Sequence, residues 1–224
     1  MGERIIMIKK RWILSIIIPL VMGFSSIAGA GLTVIGTAAY NGNNYNLIYE
    51  DDQGIIWLDY SNRGLAWDDC VKWAAGLNAS GALTCKFNPG VTVAWNGDWR
   101  LPKTVDGERH YGYDGSTTAG FNMISSEMGH LFYKSLRNSG RYDTKGKKLA
   151  GWGDDAVWGL KNKGPFTHIY PDFYWSGTEY SIYDQRAWAF NFNFGSQSNG
   201  AFKTIGNYSA LAVRSCKVAT NAVQ

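Results

Sequence analysis

Histidine and cysteine are scarce in this 224-residue chain, three of each, and proline stands at five. His110, His130 and His168 lie far apart, and no two of Cys70, Cys85 and Cys216 fall within four residues of each other. That spacing excludes zinc sites of the finger and ribbon type, which draw their ligands from closely spaced pairs. No G-x-S-x-G, H-E-x-x-H or phosphate-binding loop occurs, so the common hydrolase, metalloprotease and nucleotide signatures are missing. No apolar run reaches the roughly 20 residues of a spanning helix. There is no 20 to 50 residue repeat and no low-complexity linker, which argues for a single domain rather than an array.

What the chain has is aromatic mass and an uneven distribution of charge. Ten Trp, 13 Tyr and 10 Phe make up 15% of the residues, enough for a dense core or a stacking surface. The formal net charge is +4, but much of it sits at the amino end. Residues 1–30 place Arg4, Lys9, Lys10 and Arg11 against Glu3, then the apolar run Trp12 to Phe24, then Ala28-Gly29-Ala30. Basic, apolar and A-x-A segments in that order read as a secretory signal peptide cleaved after Ala30. Removing its four basic residues and one acidic residue from the 22 and 18 of the whole chain leaves the remainder at net +1. Export and near-zero net charge together argue against a nucleic-acid partner, whose phosphates reward an excess of positive charge. After signal cleavage no membrane insertion is expected. An oxidising compartment favours cysteine pairing, and an odd count permits one internal disulfide with one thiol left over.

Along the exported part, residues 31–43 read as a short lead-in to a domain spanning 44–218, with 219–224 as a tail. Tyr45 to Tyr60 contains two β-rich runs around Asp51-Asp52-Gln53-Gly54, a hairpin signal. Leu47 and Tyr49 point to one face and Ile48 to the other. Trp67, Val71, Ala74, Ala75 and Asn78 recur at helical spacing, predicting a helix from about 65 to 78 with Asp68, Asp69 and Lys72 toward water. A second helix is expected from about Ser126 to Asn138, with Ser125 or Ser126 as cap, Glu127 in the first turn, and Met128, Leu131, Phe132 and Leu136 on the buried stripe. Residues 139–172 lack a period, and a long irregular segment in a compact domain is usually functional or mobile. In Arg186 to Phe194, Trp188, Phe190, Phe192 and Phe194 alternate with small or polar residues, predicting a strand with one aromatic face. A turn at Gly195 to Gly200, then Ala201 to Thr204 and Tyr208 to Val218, predict three consecutive antiparallel strands.

Eight short tags occur in order: Tyr45 to Tyr60, the helix from Trp67 to Cys70, Asp98-Trp99-Arg100-Leu101-Pro102, Ser126 to Leu131, Gly164-Pro165-Phe166, Tyr174 to Tyr180, Ala187 to Phe192, and Ala212-Val213-Arg214. The set resembles the Lcl C-terminal domain family, named for the carboxyl end of a bacterial collagen-like adhesin, over nearly all of residues 44–217. The resemblance implies an α+β, C-type-lectin-like single domain, two helices packed on twisted antiparallel sheets with a long irregular loop region, related in architecture to the formylglycine-generating group. It also implies that a first-helix cysteine bridges to the last strand, which pairs Cys70 with Cys216. Cys216 stands one place later than the VRC ending of many relatives, so Cys85 with Cys216 stays open. Trp99, Arg100, Pro102, Trp175, Glu179 and Arg214 read as core architecture, with Glu179 a candidate partner for Arg100 or Arg214.

The enzymes related to this fold hold copper on a cysteine pair near the carboxyl end, or iron on closely spaced histidines. Here only Cys216 lies at that end. No enzymatic activity and no cofactor are therefore expected. Glu50-Asp51-Asp52 and Asp154-Asp155 supply hard oxygens, but turn carboxylates alone do not build a calcium cage, so no metal is assigned. The charge pattern is more informative. Lys134, Arg137, Arg141, Lys145, Lys147 and Lys148 face only Asp143 within their stretch, while residues 50–69 hold six acids against Arg63. A basic run beside Trp152 and Trp158 suits a sulfated or carboxylated glycan, cations meeting anions and indoles stacking on sugar rings. The resemblance agrees, because the name-giving adhesin is associated with glycosaminoglycan binding. The expectation is an exported, periplasmic or extracellular binding module for carbohydrate. A protein partner or an envelope-scaffold role is the alternative.

Overall fold

The computed structural model of the protein describes residues 31–220; the segment read from the sequence as a signal peptide lies outside the described residues. The chain forms a mixed α+β fold with one large sheet. Strands β1 (Leu32–Tyr40), β2 (Asn43–Glu50) and β3 (Ile55–Leu65) make an antiparallel meander, with Glu50 opposite Ile55 across the expected turn, where Gly54 takes φ +60. Strand β1 occupies residues the sequence assigned to a lead-in. It lies inside the sheet, between β2 and β4 (Thr84–Phe87). Helix α1 (Trp67–Gly76) follows, burying Trp67, Cys70 and Ala74 and exposing Asp68 and Asp69 in its first turn, where the helix dipole favours them. Ala75 is exposed rather than part of the buried stripe.

Strands β5 (Val91–Trp95), β6 (Tyr111–Gly112) and β7 (Ala119–Phe121) precede the second helical segment. That segment differs from the expected continuous helix. Helix α2 is one turn, Glu127–His130, capped by the Ser126 hydroxyl, which accepts from the Gly129 N–H at 3.0 Å. The chain then widens into a π-type turn over Leu131–Ser135, with the Leu136 N–H reaching back to the Leu131 carbonyl at 2.8 Å. Arg137, at φ +55, ends it. The wide turn has a consequence: residues five apart converge, which brings His130 Nδ1 and Ser135 Oγ within 3.4 Å of each other.

The carboxyl half supplies β8 (Phe173–Glu179), β9 (Arg186–Asn191), β10 (Ser196–Phe202) and β11 (Tyr208–Thr220). Strands β8, β9 and β10 are antiparallel neighbours, and the reversal between β9 and β10 is tighter than the expected loop at 195–200. The third expected antiparallel strand goes elsewhere. Strand β11 leaves β10 and inserts between β3, to which it is antiparallel, and β8, to which it is parallel at Ser209 and Tyr174; its far end pairs with β5. Strand β11 thus joins the two halves of the sheet.

Both faces of this central region are buried. Ile48, Trp57, Leu211 and Val213 pack with Leu131, Phe132, Phe190 and Phe192, while Leu47, Ile56, Leu58 and Ala212 pack with Trp99 and Cys216 on the other side. The two-sided burial explains why β9 is covered on its alanine face as well: Ala187 and Ala189 adjoin Trp175, Leu101 and α1. No helix among the described residues is long and apolar enough to cross a membrane.

The tags seen in the sequence meet in space. Trp99 is held by Asn78, which accepts from its N–H at 2.7 Å and donates to its carbonyl at 3.0 Å. Arg100 bridges to Val213 on β11, and the Pro102 carbonyl accepts from Ser176 Oγ at 2.9 Å and the Gly177 N–H at 2.8 Å. Arg100 pairs with Glu127, two parallel bonds of 2.7 and 2.8 Å, rather than with Glu179. Glu179 faces outward and meets Lys203 at 2.9 Å. Arg214 donates from Nε to the Gly97 carbonyl at 2.8 Å and lies 4.3 Å from the Trp95 ring centroid. Sequence reasoning placed Glu127 only in a helix first turn. Its role as the fork-shaped partner of Arg100 depends on a tertiary contact that no local pattern records.

The Cys70 to Cys216 bridge is not formed, and all three cysteines are free. Cys70 packs with Trp67, Leu101 and Trp175, whereas Cys216 packs with Trp99 and Ile56 in a separate cluster. Burial pushes the Cys70 thiol up to about 12 and Cys216 up to about 11, and raises Cys85 as well. Thiolates are the reactive form, so these thiols should be inert in the native protein. The chain purified without reductant is expected to react negligibly with Ellman's reagent at pH 8 and to release three thiols once denatured. A count of one after denaturation would establish a disulfide instead.

Candidate functional site

The irregular segment after the π-type turn is closed at its base by a buried clamp. Asn138 accepts from the N–H groups of Lys161 and Asn162 at 3.0 and 2.8 Å and donates to the Asn162 carbonyl at 2.8 Å. Inside that closure, Ser139 bridges to Gly159 and Tyr142 to Lys148. Gly159 holds φ +92, and a Cβ there would lie 2.7 Å from the Asn193 carbonyl, so only glycine permits this approach to the β9–β10 turn. Asn191, itself buried, organises that turn by accepting from the N–H groups of Asn193 and Phe194 at 2.8 and 3.1 Å. The loop and the turn are therefore fixed against one another.

Between them lies an open cleft of about 350 Å³, walled by Trp152, Trp158, Phe194, Asp154, Lys161 and Asn193, among others. Trp152 is 64% exposed, and Trp158, only 4% exposed, meets it edge to face at 5.9 Å. Arg141 is the hub beneath them. Its guanidinium carbon lies 5.1 Å from the Trp152 ring, 5.7 Å from Trp158 and 5.3 Å from Phe194, and its backbone N–H donates to the Phe194 carbonyl at 2.8 Å. A cation held among three aromatic faces fixes the orientation of each ring.

The eight residues expected to bind ligand separate into two groups. Arg141, Trp152 and Trp158 come together at the cleft, where Arg141 serves the aromatic cage rather than presenting its charge to a ligand. Lys145, Lys147 and Lys148 are exposed on a turn whose backbone is held by Asp143, which accepts from the N–H groups of Lys145 and Lys147, both at 2.9 Å. Lys134 and Arg137 are exposed on and just after the π-type turn. None of these five lines the cleft. Sequence reasoning missed Asn193 and Lys161 as cleft residues and read Phe194 as part of a sheet face. The signal available for Phe194 was its position at the end of the alternating strand, next to a glycine.

Two buried side-chain atoms at this place have no hydrogen-bond partner: Trp158 Nε1 and Arg141 Nε. No family model, curated protein or solved structure matches the chain.

Proposed function

We propose that the protein is an exported, non-catalytic binding or adhesion module that takes carbohydrate in the cleft beside Trp152. The observation that carries this reading is a largely exposed indole, fixed from beneath by Arg141, at an open cleft that is also lined by Asp154, Lys161 and Asn193. Flat aromatic surface with a few polar groups is what a sugar ring presents itself to: its C–H face stacks and its hydroxyls both donate and accept. Membership of the Lcl C-terminal family and a C-type-lectin-like architecture belong to the same proposal. They are supported by the convergence of the Trp99–Pro102, Glu127, Ser176–Gly177 and Val213 tags on one another. Export rests on the basic, apolar and small-residue order of the first 30 residues.

The lysine turn supplies a separate contact for polyanions. The chain lacking its first 30 residues is expected to be retained on heparin at low salt, and reversal of charge at Lys145, Lys147 and Lys148 to abolish that retention. Retention unchanged by the reversal removes the turn from the proposal. A second reading, a protein partner, draws on exposed Ile182, Tyr183 and Phe202 near Arg186. A glycan array without signal, combined with a single stoichiometric protein in a pull-down, would replace the carbohydrate reading with that one.

A further inference from the structure

Granting the reading that the chain is exported and cut after Ala30, we infer that the cut creates an internal ligand: the α-amino group released at Gly31 ion-pairs with the carboxylate of Asp51 and ties the start of β1 to the β2–β3 turn. The step is a hydrolysis by a leader peptidase that recognises the small-x-small end of the segment. The oxygen of one water joins the Ala30 carbonyl carbon and the C–N bond to Gly31 breaks. Both water protons end on the Gly31 nitrogen, leaving a carboxylate on Ala30 and an α-ammonium on Gly31.

The fold holds the receiving group in place. Gly31 stands opposite Asp51, one rung beyond the Leu32–Glu50 pair of the β1–β2 ladder, and the Asp51 N–H reaches the Gly31 carbonyl at 3.4 Å. A regular rung of this kind returns a second bond, from the Gly31 nitrogen to the Asp51 carbonyl. That carbonyl is taken instead by the Gly54 N–H at 3.2 Å, as the chain turns into β3. The Asp51 side chain substitutes for it: Oδ1 accepts from the Gly31 nitrogen at 2.9 Å and from the Asp52 N–H at 2.8 Å. The atom that the cut frees therefore already touches a carboxylate fixed by its own turn. Before the cut the contact is an amide N–H on a carboxylate; after it, both partners are charged, and such bonds are shorter and stronger. Other charged groups near the turn face elsewhere. Asp52 lies 3.9 Å from His130 Nε2, Glu50 is buried against His130 and Ser135, and the charge of Lys134 acts on His130. Lys217 shares an open cleft with Gln53 and Gly54, and in the loop packed on Leu32, Lys163 lies 5.5 Å from the centre of the Tyr170 ring. Chain ends are ordered where something ties them down, and β1, which lies between β2 and β4, is a strand whose end matters to the sheet.

The test has two parts. Mass spectrometry of the full chain after secretion from a bacterial host should find Gly31 as the first residue; any other first residue shows that the reading of the leader has failed and overturns the proposal with it. On that secreted chain, isotope-labelled, the Gly31 α-amino group is then titrated by NMR. It should titrate about half a pH unit above the ordinary 7.7–8.0 of an α-amino group, the scale of an exposed ion pair. Denaturation in urea should return it to the ordinary range. Asp51→Asn, which keeps an acceptor for both N–H groups and removes only the charge, should do the same in the folded protein, whereas Asp52→Asn should leave most of the effect. An amine raised in the folded state adds stability that is complete below about pH 7.7 and is lost as pH rises through the folded value. The urea midpoint of the wild type should accordingly exceed that of Asp51→Asn by more at about pH 6.5 than at about pH 9.5. A chain that begins at Gly31 but titrates in the ordinary range, or whose raised value survives Asp51→Asn, overturns the ion pair and leaves export, cleavage and the carbohydrate reading intact.

Discussion

Replacing Glu50 by alanine should lower the unfolding free energy by about 3 kcal/mol or more, the scale for breaking a buried charged pair. Glu50 is wholly buried. It accepts from Trp57 Nε1 at 2.7 Å, lies 2.8 Å from His130 Nδ1, and accepts from Ser135 Oγ. Truncation strands the buried Trp57 Nε1, removes the shared partner of the half-buried His130 and Ser135, and opens a cavity beside Trp57. Glu50→Gln keeps the volume and part of the bonding, so it should cost less. The same cluster sets a pH dependence. The hydrogen bond to Glu50 raises the His130 pKa above its ordinary 6.5, helped by the charges of Glu50 and Asp52 and opposed by burial and Lys134. A histidine raised in the folded state contributes stability that is complete below about 6.5 and is lost as pH rises through the folded value. Urea midpoints of the wild type should therefore fall relative to those of His130→Asn as pH rises above about 6.5. A constant difference across that range would remove the coupling.

This cluster also shows where sequence reading reached its limit. The hairpin around Gly54, the first helix, the Ser126 cap and the strand at Arg186 were legible because each is written in local period or turn chemistry. The π-type turn was not, since the apolar positions Leu131, Phe132 and Leu136 fit a regular helix equally well. Only the tertiary demand of Glu50 for both His130 and Ser135 distinguishes the two. The six acids of residues 50–69 stood out in the sequence only as uneven charge, yet Glu50 and Asp59 are buried anchors, Asp59 accepting from the Thr167 and His168 N–H groups. Charge patterning reports composition, not which carboxylate a loop will fold over. At the site, the aromatics Trp152 and Trp158 were legible as residues, but the division between a caged Arg141 and a free lysine turn was not, because cation–π geometry has no linear signature.

Trp175→Ala should destabilise the protein by about 3–5 kcal/mol, the range for emptying a buried indole site. The Trp175 ring is fully buried, leans on Tyr208 at 4.6 Å between centroids, and donates from Nε1 to the Leu65 carbonyl at 3.1 Å. Its neighbours Ala187, Ala189, Ala201 and Ala210 are small, so the indole fills volume that no other side chain reaches. Trp175→Phe should cost less than alanine but still leave the Leu65 carbonyl without its donor. The contrast with Trp152 gives the comparison its force. Both are tryptophans in an aromatic-rich chain, but Trp152→Ala should leave stability within about 0.5 kcal/mol, as surface substitutions do. Guanidinium unfolding of the two variants side by side, with glycoside binding measured on each, assigns one indole to the core and the other to the ligand surface. A Trp175→Ala protein of wild-type stability that fails only in binding would reverse the assignment, making the 174–180 segment a ligand contact and leaving β8 held by its backbone pairing to β9 and β11.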